Sequence, residues 1–123
     1  MKRAAHIIIL LILAALALAG CKPAEPVCGS QITEYGTFTN TCGLGVPQGA
    51  KSAELFVKAN LKHGRMTWEL EDPTGEVVWT GFATWDTPAD ASTRVENPLP
   101  GRWKLSIHID EALGEYQAPW IVK

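Results

Sequence analysis

The sequence has no apolar run of membrane-spanning length, little histidine and no excess of positive charge, and each shortage excludes something. A transmembrane helix needs about 20 apolar residues, and the run Ile7 to Leu18 supplies 12 before Ala19 and Gly20. Eleven basic residues stand against 13 acidic ones, a net charge of −2. A nucleic-acid partner would need a basic face, and anionic lipid would need a polybasic patch; both are excluded. Of the three histidines, His6 lies in the apolar N-terminus, and neither His63 nor His108 has a second histidine at metal-ligand spacing. The serines occur in no G-x-S-x-G, so a nucleophile elbow is missing. No nucleophile, base and orienting acid can be assembled from the motifs present, so no catalytic residue, cofactor or metal site is expected.

What is present begins at the N-terminus. Lys2 and Arg3 form a basic head, the apolar run follows, and small residues close it. That order describes a cleaved secretory signal peptide. Leu18-Ala19-Gly20-Cys21 resembles the lipobox of bacterial lipoproteins. The resemblance implies cleavage after Gly20 and a diacylglycerol, with palmitate among its acyl chains, on the Cys21 thiol. At about 0.8 kcal/mol per buried CH₂, two or three chains anchor a protein stably. Removing residues 1–20 takes Lys2 and Arg3 and no acid, leaving nine basic and 13 acidic residues, a net charge of −4. The expected location is the cell membrane or outer membrane, lipid-anchored and facing the periplasm or exterior. In a diderm host, Lys22 differs from the Asp of an inner-membrane retention signal, which points to the outer membrane.

Only three cysteines occur. With Cys21 lipidated, Cys28 and Cys42 remain as a pair in an exported chain and are expected to form a disulfide. A loop of about 15 residues closed in this way is worth about 3 kcal/mol by loop entropy. The alternative, a metal pair, lacks a nearby histidine. Pro23, Pro26 and Gly29 make 21–31 read as a tether, with one domain at 32–123.

Within that domain the apolar pattern has period two. Ile32 to Thr41 reads as a first strand interrupted by Gly36, and Gly43 to Gly49 as turn chemistry. Ala53, Leu55, Val57, Ala59 and Leu61 alternate with mostly polar residues, a strand pattern, although Ala, Leu, Glu and Lys also favour helix. Met66, Trp68 and Leu70 repeat it, Asp72-Pro73-Thr74-Gly75 suits a type I turn, and Glu76 to Phe82 returns as a hairpin. Ala83 to Thr93 reads as a polar loop, and Arg94-Val95 as a short strand. After a turn at Asn97 to Gly101, Trp103, Leu105, Ile107 and Ile109 face inward. Glu111 to Gly114 reads as a link to a last strand, Glu115 to Val122. Several short strands with turn signals predict an all-β fold, a small antiparallel β-sandwich of jelly-roll or Ig-like type.

Asp72-Pro73-x-Gly75, Pro100-Gly101-x-Trp103-x-Leu105-x-Ile107 and Gly114-x-Tyr116 together resemble the ending of bacterial jelly-roll accessory domains. The pre-peptidase C-terminal and convertase P-domain types end in this way, and the similarity spans about residues 50–122. It implies a module that accompanies an enzyme and is not itself one. No metal-site motif of those families can be matched to this sequence.

Few residues remain as candidate sites. Glu69 and Glu71 share an outward strand face, where a solvated surface explains them better than a glycosidase pair. Asp86, Asp90, Asp110 and Glu111 have spacings unlike an EF-hand. Trp68, Trp79, Trp103 and Trp120 fall on inward positions, but Trp85 lies in the polar loop. It reads first as a lid folded onto the sandwich edge, and second as an exposed ring that stacks on a sugar or anchors a protein. The functional expectation is an envelope lipoprotein with a non-catalytic binding or structural role, whose partner is an envelope protein or glycan. The alternatives are a carbohydrate-binding module using Trp85 and a small inhibitor of an exogenous hydrolase. Radiolabelled palmitate should enter the wild-type chain and not Cys21→Ser; equal labelling of both would refute the lipobox reading.

Overall fold

The computed structural model describes residues 27–33 and 35–123; the apolar run, Cys21 and residues 22–26 lie outside the described residues. The strands are β1 (Val27–Ile32), β2 (Thr37–Val46), β3 (Ser52–Glu71), β4 (Val77–Thr84), β5 (Ala89–Glu96) and β6 (Gly101–Val122). All pairings are antiparallel. The chain is an all-β sandwich, and its two longest strands make both layers.

β3 has 20 residues and β6 has 22, and they pair along nearly their whole length. The first half of β3 also pairs with β5, and the second half with β4. Likewise, the first half of β6 pairs with β2 and the second half with β1. Layer I is therefore β5-β3-β6-β1, and layer II is β4-β3-β6-β2. The two long strands bend together where one layer becomes the other.

Side-chain parity records the bend. In β3 the buried set is Ala53, Leu55, Val57, Ala59 and Leu61, then Met66, Trp68 and Leu70. Odd positions face the core before the bend and even ones after it. β6 switches in the same way, from Trp103, Leu105, Ile107 and Ile109 to Ala112, Tyr116, Ala118 and Trp120. Strand side chains alternate strictly, so a change of parity requires an irregularity. It lies at register shifts between Leu61 and His63 and between His63 and Arg65. Gly64 has φ +79° and Gly114 φ +140°, both disfavoured for residues with a Cβ. Space forbids a side chain there too. A Cβ on Gly64 would strike the Glu111 carbonyl, and one on Gly114 the Asn60 carbonyl.

Specific contacts tie the two layers together. The Trp103 and Trp120 rings lie 5.8 Å apart, from opposite halves of β6. Trp120 Nε1 donates to the Gly45 carbonyl at 3.0 Å, and Asn40 Nδ2 donates to the Tyr116 hydroxyl at 2.9 Å. The Cys28–Cys42 disulfide, with Cα atoms 6.1 Å apart, joins β1 of layer I to β2 of layer II. It closes the sandwich along the edge where the chain enters.

The structure corrects several boundaries. Residues 27–31, read as tether, lie in β1, where Cys28 is buried opposite Ala118. Gly43 to Gly45, read as a turn, continues β2: Leu44 is only 1% exposed, and the glycines flank it without ending the alternation. The stretches at 52–62 and 65–71 are one strand, because Gly64 bends the chain without reversing it, and no helix forms there. Residues 111–114 are likewise part of β6. Ala89 to Thr93, read as loop, belongs to β5, whose inward residues Ala89 and Ala91 are too small to give a strong apolar signal. The Asp72 turn forms as expected, with the carboxylate accepting from Thr74 Oγ1 at 2.6 Å and from the Thr74 and Glu76 amides. The Thr74 hydroxyl above all, then these amides, hold the Asp72 pKa below its usual value against the opposing effect of desolvation.

Gly114→Ala should cost about 3 kcal/mol or more, since backbone strain and a clash with the neighbouring strand β3 combine. Gly75→Ala, also at positive φ but facing open space, should cost about 1 kcal/mol. Denaturant titration of both variants checks the difference, and equal costs would show that the bend tolerates a side chain.

Candidate functional site

The outer face of layer II is an ordered array. Because Met66, Trp68 and Leu70 face the core, Arg65, Thr67 and Glu69 face outward. Register then places Phe82, Thr67, His108 and Thr39 side by side across all four strands. The neighbouring row is Thr84, Arg65, Asp110 and Thr37. Between them lies a groove of about 470 Å³, lined by Thr37, Thr39, Arg65, Thr67, His108 and Asp110 among others.

Its polar groups are partly tied to one another. Thr39 Oγ1 and His108 Nδ1 are 2.9 Å apart, and Thr37 Oγ1 donates to Asp110 Oδ1 at 3.2 Å. Arg65 lies opposite Asp110 in register, yet its guanidinium makes no ion pair among the described residues. It rests over the Phe82 ring, 5.6 Å from the centroid. Phe82 is 53% exposed although it occupies a polar-parity position. Inward Gly81 beside it is packed against the Trp68 ring. Further along the face, Lys104 Nζ meets Glu71 Oε2 at 3.1 Å.

The other candidates do not converge with this array. Glu69 and Glu71 share the outward face, but Glu71 is held by Lys104, and Glu69 lies between Thr80 and Ser106. Asp86 accepts from Thr84 at 2.6 Å, Asp90 lies opposite Lys58 on layer I, and Glu111 sits in the bend. Among the described residues no group of three His, Cys, Asp or Glu side chains is placed to hold a metal ion. His63 packs against Tyr35, with ring centroids 5.8 Å apart. Cys28 and Cys42 are disulfide-bonded as expected. Trp68, Trp103 and Trp120 are buried, and Trp79 is half-buried against the core. Trp85 is 65% exposed in the short turn between β4 and β5, so it does not serve as a lid.

Phe82 and Arg65 are not among the candidates that sequence pattern alone singles out. Phe82 carries a signal nonetheless: it is a large aromatic at an outward position between Gly81 and Ala83. Arg65 had none, because an outward arginine is ordinary.

No protein-family model matches the chain, and a search of curated proteins finds no match. Solved structures do resemble it in fold. The pre-peptidase C-terminal domain of a collagenase from Bacillus anthracis aligns with a TM-score of 0.55 and 18% identity, over 80% of this chain and 90% of that one. TmCBM61, solved in complex with β-1,4-galactotriose, aligns at 0.51 and 14% identity, over 77% and 69%. The lipase BlEst2 of Bacillus licheniformis, in propeptide form, aligns at 0.52 and 18% identity, over 75% of this chain but only 20% of that one. At these identities the likeness concerns the fold alone.

Trp103 and Trp85 should behave oppositely on truncation. Trp103 is 2% exposed and bonds the Leu99 carbonyl through its indole nitrogen, so Trp103→Ala should cost about 3–5 kcal/mol. Trp85→Ala should change stability by about 1 kcal/mol or less. A pair of melting curves measures both, and a large loss from Trp85→Ala would contradict its placement.

Proposed function

We propose that this chain is an exported lipoprotein, anchored through Cys21, whose sandwich performs non-catalytic binding at the cell envelope. The observation that carries the reading is where the tether joins the fold. From Cys21 to Val27 the chain reaches at most about 20 Å when fully extended. It enters at β1, one edge of layer I, beside the disulfide to β2. The opposite edge, formed by β4 and β5, lies about 14 Å further across four strands. A short leash therefore holds the β1–β2 edge near the lipid and turns the β4–β5 edge, with Phe82 and Trp85, away from it. Phe82, a large aromatic left exposed on that side, suits a surface that meets a partner.

Two structural neighbours support a binding role over catalysis: the pre-peptidase C-terminal domain of a collagenase, and a module whose structure holds a galactotriose. Hydrolase inhibition is the weaker reading. An inhibitor that fills a cleft wants a protruding loop, whereas the connections between strands here are four or five residues long.

A soluble form of the chain starting at Lys22, free of the apolar run and of Cys21, should sediment with isolated envelope material in a saturable way, and the material should be recovered unchanged after long incubation. Release of cleaved products would show an enzyme, and failure to sediment would refute envelope binding.

A further inference from the structure

The groove on layer II presents hydrogen-bonding groups of both polarities beside an exposed aromatic ring. Arg65 offers donors that no acid of the described chain engages. Asp110 offers acceptors, of which the Thr37 hydroxyl uses one oxygen. His108 and the hydroxyls of Thr39 and Thr67 can act in either sense. Phe82 ends the row at the β4 edge with its ring 53% exposed and Arg65 beside it. Across four strands the row measures about 14 Å, the length of a short oligosaccharide.

This combination selects a class of ligand. Every hydroxyl of a sugar both donates and accepts, and the C–H face of a pyranose is flat and apolar. A polyanion would need donors alone and would meet the Asp110 carboxylate and the net charge of −4 of the exported chain. A protein hot spot would need a larger apolar centre than one phenylalanine among threonines. We infer that the outer face of layer II binds an uncharged oligosaccharide, stacked on Phe82 and hydrogen-bonded by Arg65, His108 and Asp110. This assignment rests on the binding reading above and gives it a ligand class. It differs from a sugar site built on Trp85, which lies in the turn beyond β4, whereas Phe82 stands at the end of the strand row beside the groove-lining Arg65.

The test uses the full lipidated chain in detergent micelles and isothermal titration with neutral β-linked hexose oligomers and, in parallel, uronic-acid oligomers. At least one neutral oligomer should bind saturably and more tightly than its uronate counterpart. Phe82→Ala and Asp110→Asn should each weaken it about tenfold or more, about 1.4 kcal/mol or more, with melting temperatures unchanged. Phe82→Leu, which keeps apolar bulk and loses the ring, gives the same reading if Phe82→Ala fails to fold. Trp85→Ala should bind as the wild type does. Absence of saturable binding across the neutral panel, preference for uronates, or undiminished binding by the Phe82 and Asp110 variants would each overturn the assignment. Should Phe82→Ala lose the oligosaccharide and still sediment with envelope material, the broader binding reading stands on other surfaces. Should the wild type bind neither, both fail.

Discussion

The shared bend of β3 and β6 is the constraint on which the rest depends. Two paired strands cannot cross from one layer to the other without a local break in the pleat, and the break must fall at the same height in both. Gly64 and Gly114 meet that demand because each backbone passes against the other strand where a Cβ has no room. One consequence is a core made largely by only two strands. Leu55 and Leu70 lie on one of them, and Leu105 and Trp120 on the other, all buried. The shorter strands then extend the two layers sideways.

The same bend decides which faces are open. Folding β6 over brings β1 and β2 together on one side, close enough for Cys28 and Cys42 to join. That edge also receives the chain from the N-terminus, so the proposed lipid anchor would lie on the same side of the domain as the disulfide. β4 and β5 form the opposite side, and the outer face of layer II runs from the stapled edge to the free one. Polar residues cover most of it, as solubility requires. Phe82 departs from that rule, and Arg65 is arranged around it.

Much of this was legible in the residues. Period-two alternation at 53–61 and 103–109 identifies strands because one side is buried and the other wet. The cysteine pair follows from the count of cysteines and the expectation of export. The bend was not legible as such: a glycine between two alternating stretches looks like a hairpin turn, and only the matching parity change in β6 distinguishes the two. Strand β5 escaped notice because alanine buries little surface and so leaves a faint pattern. The groove was hidden for a different reason. Thr39, Thr67, His108 and Phe82 come from four strands and meet only through register, which no local spacing encodes. Trp85 was conspicuous in the sequence because it is a tryptophan in a polar loop, yet it stands outside that array.

The central claim is that the outer face of layer II, and not layer I or the turn at Trp85, is the binding surface. Backbone amide shifts, recorded while a neutral oligosaccharide is titrated into the isotope-labelled chain, test it most directly. The account predicts shifts concentrated at Thr39, Thr67, Phe82 and His108, with Lys58, Asn60 and Gln117 on layer I unmoved. Shifts centred on layer I, or confined to residues 85–88, would contradict it.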